Sequence, residues 1–530
     1  MNRRFFIKTT SVASSAMVHG GWMNRLNWLN SGEEIPALVI SFQTSDSHYQ
    51  QVYDKALKIL ADNVVKVPGY DKPVLIEGSV YHGAWMECAP HEGLVYSLIR
   101  PDIALNNHTA FFDLQRPDGQ IPAFYRVYKE QNQIGFGQIQ MVVPIAATAW
   151  ELAQQTKNEA FLQQAYTACA KWDAWLMKYR DTRKTGLCEG FCTYDTGHDL
   201  SPRWKGMPNG CPGGEAKNIP NAPGLPRLSP DLSATVYGAR MALANMAKAL
   251  GKNQEADQWL TDARKIQALI MEKLYSAEDG AFYDLDAQNN FVHIRGDLIT
   301  RVLGEHVVDQ QVFENVYQKQ IHNPKAFWGE YPLASIAMDD PAFVRPLVKG
   351  SWGGPAQALT ALRAGRWMDH YGKPGDFAYM RQQWLKAFLN DPTFKAQMDP
   401  ATGVFTEDLG DYSPSALVFM DYTWRQAGVR KEKDTLEWSC NPIAQKQTAN
   451  FKLTLSPGHY AQMSYANGKC TATIGGKEIF SSNGVFRLMT DLQGKPQKLV
   501  SQSDQLQSGT YHLGGTEKHF TLSSNQIISL

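Results

Sequence analysis

The sequence predicts a mainly α protein, a closed ring of helical hairpins followed by a small antiparallel β-domain. Three observations carry that expectation. From about residue 45 to 430, apolar residues recur at spacings of three and four between connections rich in Gly, Pro and Asp. Several connections share one flavour: RPDGQIP at 116–122, SAEDGAFYDLD at 276–286 and DPATGVFTED at 399–408 each place Asp and Gly before a short aromatic or aliphatic extended piece. A helix, turn with short strand, helix unit repeated over that length favours a ring of hairpins over an open bundle. After Lys433 the period changes to two in FKLTL, HYAQMSYA, KCTATIGG, VFRLMTD, YHLGG and HFTLSS, which is the pattern of antiparallel strands.

The helices follow from the apolar spacing: 47–64, 92–115, 138–155, 159–179, 232–250, 253–274, 297–320, 355–371, 376–390 and 413–427, many rich in Ala, Leu, Gln and Lys. The acids of the DLD and DLGD turns do not have EF-hand spacing and are read as turn chemistry. A charged link, VRKEKDT at 429–435, separates the helical region, 40–430, from a β-sandwich-like domain at 436–530.

Composition narrows the function. The 530 residues are 43% hydrophobic and 20% charged, which suits a large folded core and leaves no reason to expect disorder. Lys plus Arg equals Asp plus Glu at 52 each, so no net field attracts nucleic acid or an anionic membrane, and a neutral partner is expected. With 14 Trp and 22 Tyr, the chain has more flat apolar surface than a helical core requires, and sugars present matching faces. The seven cysteines are odd in number and widely scattered, which excludes a disulfide scaffold. Cys188, Cys192 and Cys211 cluster near His198, but CEGFC is not a zinc-knuckle spacing, so a local bridge or free thiols is expected, with no metal and no cofactor.

The N-terminus, NRRFFIKTTSVASSAMVHGG, resembles a twin-arginine export signal over residues 1–30, against the plainer reading of a merely basic N-terminus. No later segment has the roughly 18 uninterrupted apolar residues of a membrane span. A periplasmic or secreted protein is expected.

The densest chemistry lies in YDTGHDLSPRW, residues 194–204, where Asp195, His198, Asp199 and Arg203 crowd between Gly197 and Pro202. This is the composition of a loop that positions side chains over a cleft. Asp199 is the candidate catalytic acid. TGHDLSPRW is similar to the acid-bearing loop of glycoside hydrolase family 63 and its mannosylglycerate-hydrolase and trehalase relatives, in which a Ser or Thr, Gly, any residue, Asp pattern leads to Pro-Arg. Four further stretches resemble that family in order: FFDLQRPDGQIPAFY at 111–125, PDLSATVYGARMALANMAKALGK at 230–252, SWGGPAQAL at 351–359, and GVFTEDLGDYSPSALVFMDYTW at 403–424. The trehalase Gly-rich loop and Gln-Trp-Asp signature are absent, which argues against trehalose itself. Where relatives carry Trp-Asp, this chain has WMECAPHE, offering Glu87, or Glu92, as the sugar-gripping acid.

The resemblance implies an (α/α)6 barrel, a six-hairpin toroid, and an inverting two-carboxylate glycosidase acting on an α-linked neutral sugar, an α-glucoside or α-mannoside. Inversion needs one carboxyl to protonate the leaving oxygen and a second to activate water, about 6.5–9.5 Å away. Asp199 and Glu407 fill these roles, with Asp408 and Asp411 as alternative bases. To hold its proton near neutrality, Asp199 must be buried, beside Trp204 and a neighbouring acid such as Asp195. Supporting roles as substrate contacts fall to Trp85, Glu87, Gln138, Gln140, Asp195, Arg203, Trp204, Asp231 and Trp352. Arg203 orients the acid, grips a hydroxyl or forms a structural ion pair; Asp231 binds a hydroxyl or caps its helix. Trp352 floors the sugar subsite, and Gln138 and Gln140 begin a helix or are solvated at the surface. Rival readings are a helical-toroid polysaccharide lyase or unsaturated-uronide hydrolase, and a sugar-binding protein without catalysis. A lyase needs cationic groups facing a uronate, whereas these loops are richer in carboxylates.

Overall fold

The structure is a computed structural model that describes residues 40–67, 70–128, 131–442 and 447–530. The signal expected over 1–30 lies outside the described residues. Twelve α-helices occupy residues 47–427 among those described. Asp46 caps the first, Ser47–Asp62, by accepting from the Tyr49 amide at 3.0 Å. Its buried face packs on the last, Ser413–Ala427, where the Trp424 indole donates to the Tyr53 hydroxyl at 2.9 Å and the Tyr49 and Thr423 hydroxyls lie 2.7 Å apart. The first and last helices of the region are therefore neighbours. Trp424 is 1% exposed, so Trp424→Ala is expected to cost about 3–5 kcal/mol, read as an earlier midpoint in urea unfolding.

Three expected helices are cut by local chemistry. The stretch 92–115 splits into Ala89–Tyr96 and Pro101–Asp113, because Pro101 has no amide hydrogen to continue a helix yet fits the first turn of the next. The stretch 297–320 splits into Leu298–Gly304 and Gln310–Val316, with His306 at φ 57° between them and Asp309 capping the second. The stretch 138–155 starts late, at Ile145. Gln138 and Gln140 therefore precede the helix instead of beginning it, and Gln140 sits at φ 43°.

Short strands project from the helix ends. Gly83–Trp85, Phe124–Tyr128 and Gln131–Gly135 form one antiparallel sheet, and Ala356–Gln357 pairs with Gln397–Met398.

The C-terminal part is two antiparallel sheets. Seven strands, Ile40–Thr44, Ala449–Ser456, His459–Ala466, Lys469–Ile474, Lys477–Ser482, Gln507–Leu513 and Thr516–Leu522, make one sheet in that order. Val429–Glu432, Thr435–Cys440, Phe486–Asp491, Pro496–Val500 and Ile527–Ser529 make the other. A disulfide, Cys440–Cys470, ties the two together. Two expected boundaries move. Residues 40–44 pair with 449–453 and so belong to the β-part, and the charged stretch after Gly428 is a hairpin instead of a link.

Candidate active site

A cavity of about 340 Å³ is lined by residues from loops, short strands and one helix start of the helical part. Asp199 and Glu407 both line it, although 208 residues separate them in sequence. So do Trp85, Glu87, Gln138, Gln140 and Trp352.

The loop that carries Asp199 is held by backbone chemistry. A 3-10 turn, Thr193–Asp195, leads to Gly197 at φ 61°, where a Cβ would collide with the Glu87 carboxylate. Glycine is thus required for the loop to pass beneath Glu87. Beyond it, Leu200 adopts φ 54°, and the Asp199 carbonyl accepts from the Trp352 amide at 2.9 Å. Among the described residues no donor reaches the Asp199 carboxylate. Burial, then the nearby charge of Glu87, pushes its pKa up to about 7.

Glu407 is treated differently. Its oxygens accept from the Gly350 and Ala396 amides at 3.2 and 3.0 Å. Burial raises its pKa above the ordinary value, but these two amides and Lys395 oppose the rise by favouring the charged form. Asp408 and Asp411, the alternative bases, do not line the cavity; Asp408 is exposed and paired with Lys349.

The remaining wall is polar and aromatic. Gln138 donates to Gln140 at 3.2 Å, and Gln140 to Glu87 at 3.4 Å. Burial raises the pKa of Glu87 while Arg363 and Arg301 draw it back. Residues that sequence reasoning missed also enter: Glu77, Tyr81, Phe124, Arg126, Tyr194, Gln357, Gln397 and Tyr412. Tyr194 and Gln357 lie within motifs already singled out, and so were legible. Tyr412 lies within the 403–424 motif as well, whereas Glu77 carries no sequence signal and reaches the site only by folding, the Tyr412 hydroxyl donating to it at 3.1 Å. Burial, followed by the charges of Glu77, Asp199, Glu407 and Glu87, raises the Tyr81 hydroxyl, which places it amid all four acids.

Four expected contacts with substrate are corrected. Arg203 is buried and makes bidentate pairs with Asp231 and Asp284 at 2.6–2.8 Å, so it is a structural ion pair beneath the loop. Asp231 is consumed by that pairing and is fully buried. Asp195 accepts from Arg180 and from the amides of Ile139, Phe191 and Cys192. Trp204 is buried with its indole donating to Thr196 at 2.8 Å. None of the four lines the cavity, and the acid that raises Asp199 is Glu87, not Asp195. Glu92 is also enclosed beneath the site, pushed up to about 8 chiefly by burial.

The position of Glu87 makes a prediction about pH. With Asp199 as the expected proton donor, activity is expected to fall as pH rises through about 7. In Glu87→Gln the like charge is gone and the alkaline limb of kcat/KM should move to lower pH. A midpoint unchanged from wild type would contradict this.

A carboxyl that keeps its proton to neutrality, sharing a sugar-sized aromatic cavity with an amide-held carboxylate, defines the class: a glycoside hydrolase. Residues 81–424 match the family model described as the mannosylglycerate hydrolase MGH1-like glycoside hydrolase domain. The chain belongs to that family. Among solved structures, the GH63 mannosylglycerate hydrolase from Thermus thermophilus in complex with glucose is similar at TM-score 0.56 and 18% identity, over 70% of this chain and 100% of that one. Neutral trehalase from Saccharomyces cerevisiae gives TM-score 0.52 at 13% identity, over 70% and 80%. A GH78 family rhamnosidase from a Bacillus species gives TM-score 0.54 at 13% identity, over 83% of this chain and 42% of that one. At these identities the likeness establishes a shared fold. No curated protein matches the sequence.

Proposed function

We propose that the protein is an exported, inverting α-glycosidase on an (α/α)6 barrel that removes a neutral glucosyl or mannosyl unit from a small glycoside. The observation that carries this reading is the unequal treatment of two carboxyls in one cavity: Asp199 is raised to about 7 with no donor on its oxygens among the described residues, while Glu407 is held by two amides. Asp199 gives its proton to the glycosidic oxygen as the bond to the anomeric carbon breaks. Glu407 removes a proton from the water that attacks the opposite face. The leaving alcohol departs neutral, and the sugar is released with its anomeric configuration reversed.

The lining supports the substrate class. Trp85 and Trp352 offer flat faces for a pyranose ring, and Gln138 and Gln140 offer amide donors and acceptors for hydroxyls. Arg126 is the one cationic side chain among the described lining residues, which favours a neutral sugar over a uronate. A cavity near the lower end of the ~300–1,000 Å³ typical of small-ligand sites suits one or two rings better than a polymer. Export rests on the paired Arg3 and Arg4 with the aromatic and lysine residues that follow.

Screening α-glucosides, α-mannosides and small glycosyl conjugates, with proton NMR of fresh product, tests this reading. An α-substrate should give the β-anomer first. Appearance of the α-anomer at the earliest times would replace inversion by retention.

A further inference from the structure

Cys192 and Cys211 lie outside the chemistry described so far. Their sulfurs are 3.9 Å apart, in contact, and both side chains are buried against Phe191. We propose that these two thiols are oxidised to a disulfide that staples the acid-bearing loop to the segment forming the adjacent cavity wall. Cys192 immediately precedes the turn that leads to Asp199, and Tyr194, two residues on, lines the cavity. Cys211 follows Gly210, also in the lining, and its amide donates to the Gly137 carbonyl at 2.8 Å, next to Gln138. The two segments already run side by side, Thr193 donating to the Pro208 carbonyl at 2.9 Å and Tyr194 to that of Asn209 at 3.2 Å.

A metal ion is the competing use of this cluster, since Asp195 lies within 4.8 Å of both sulfurs. The Asp195 carboxylate is saturated by Arg180 and three amides, and Arg180 reaches 3.7 Å from the Cys211 sulfur. A fixed guanidinium at that distance repels a cation but leaves a neutral disulfide undisturbed. Cys440 and Cys470 are already bonded, which shows that this chain accommodates an oxidised pair elsewhere. Both thiols are buried in the folded protein, so the bond forms during folding, before the site closes.

The oxidant is a small or protein disulfide such as oxidised glutathione. Two S–H bonds and its S–S bond break, one Cys192–Cys211 bond and two new S–H bonds form, and two electrons pass to the oxidant.

The test is full-length protein folded in oxidised and reduced glutathione, then alkylated in denaturant without reductant. Three alkylated thiols, Cys88, Cys169 and Cys188, are expected, together with a peptide in which Cys192 and Cys211 are joined. Five alkylated thiols would overturn the bond. Cys192→Ala/Cys211→Ala should then unfold at lower denaturant and lose severalfold in kcat/KM, and wild type reduced in place should do the same. Unchanged kcat/KM in both would overturn the stapling role while leaving the glycosidase reading intact.

Discussion

Asp199→Asn is expected to lower kcat at pH 7 by about 10²–10⁴-fold, because the amide has no proton to give and the leaving alcohol must depart as an alkoxide. The loop should survive the change. Asp199 makes its one described hydrogen bond through its carbonyl, to the Trp352 amide, and its carboxylate has no donor among the described residues that an amide would displace. Binding of intact substrate should therefore change little, and the loss should fall on kcat. Glu407→Gln is expected to cost a similar factor by removing the base that activates water. A substrate with an activated aryl leaving group separates the two, since it needs no proton donor and rescues Asp199→Asn but not Glu407→Gln. Steady-state kinetics on both substrates checks this; activity within tenfold of wild type in either variant would remove that residue from the chemistry.

Arg203→Met is expected to produce the largest loss of stability, about 3–5 kcal/mol or more, because it takes the bidentate partner from both Asp231 and Asp284 in a region closed to water, leaving Asp231 only Arg301 at 3.5 Å and the Leu232 amide. Burial alone would raise Asp231; the Arg203 charge and hydrogen bonds outweigh that and hold it below its ordinary value. A carboxyl depressed in the folded state stabilises above its unfolded pKa, and that contribution fades as pH falls through the folded value. In Arg203→Met the sign reverses: the freed carboxylates gain protons on folding, and stability should improve as pH drops from 7 toward 5. Arg203→Lys should recover only part of the loss, since an ammonium cannot match two carboxylates bidentately. Arg203 also donates to His198 Nδ1 at 3.0 Å, leaving His198 Nε2 to meet Asp297 at 2.7 Å, so the acid loop loosens along with the fold. Urea unfolding of the three proteins across that pH range checks the sign. A wild-type midpoint in Arg203→Met would contradict the role.

The same loop shows how far a sequence can be read. YDTGHDLSPRW announces chemistry by density alone, and the residues that reach the cavity, Tyr194, Gly197 and Asp199, alternate with residues that do not, Asp195, Arg203 and Trp204. Acid, guanidinium and indole have the same composition whether they meet substrate or lock a turn. The difference lies in whether partners such as Asp231, Asp284 and Arg180 arrive from elsewhere in the chain. Helix ends failed for a local reason: Pro101 and the left-handed residues Gln140 and His306 override apolar periodicity that continues through them.

By itself the sequence determined the helical region, the strand-rich C-terminal part, the hydrolase family and two carboxyls that line one cavity, because periodicity and short ordered motifs are written along the chain. Tertiary structure decided that Glu87 and not Asp195 helps burial to keep the proton on Asp199, that Arg203 and Asp231 serve the fold, that Glu77 and Tyr412 join the cavity, and that residues 40–44 close the distant sheet. Burial and like-charge proximity are properties of space, and residues up to 335 positions apart in the chain set them.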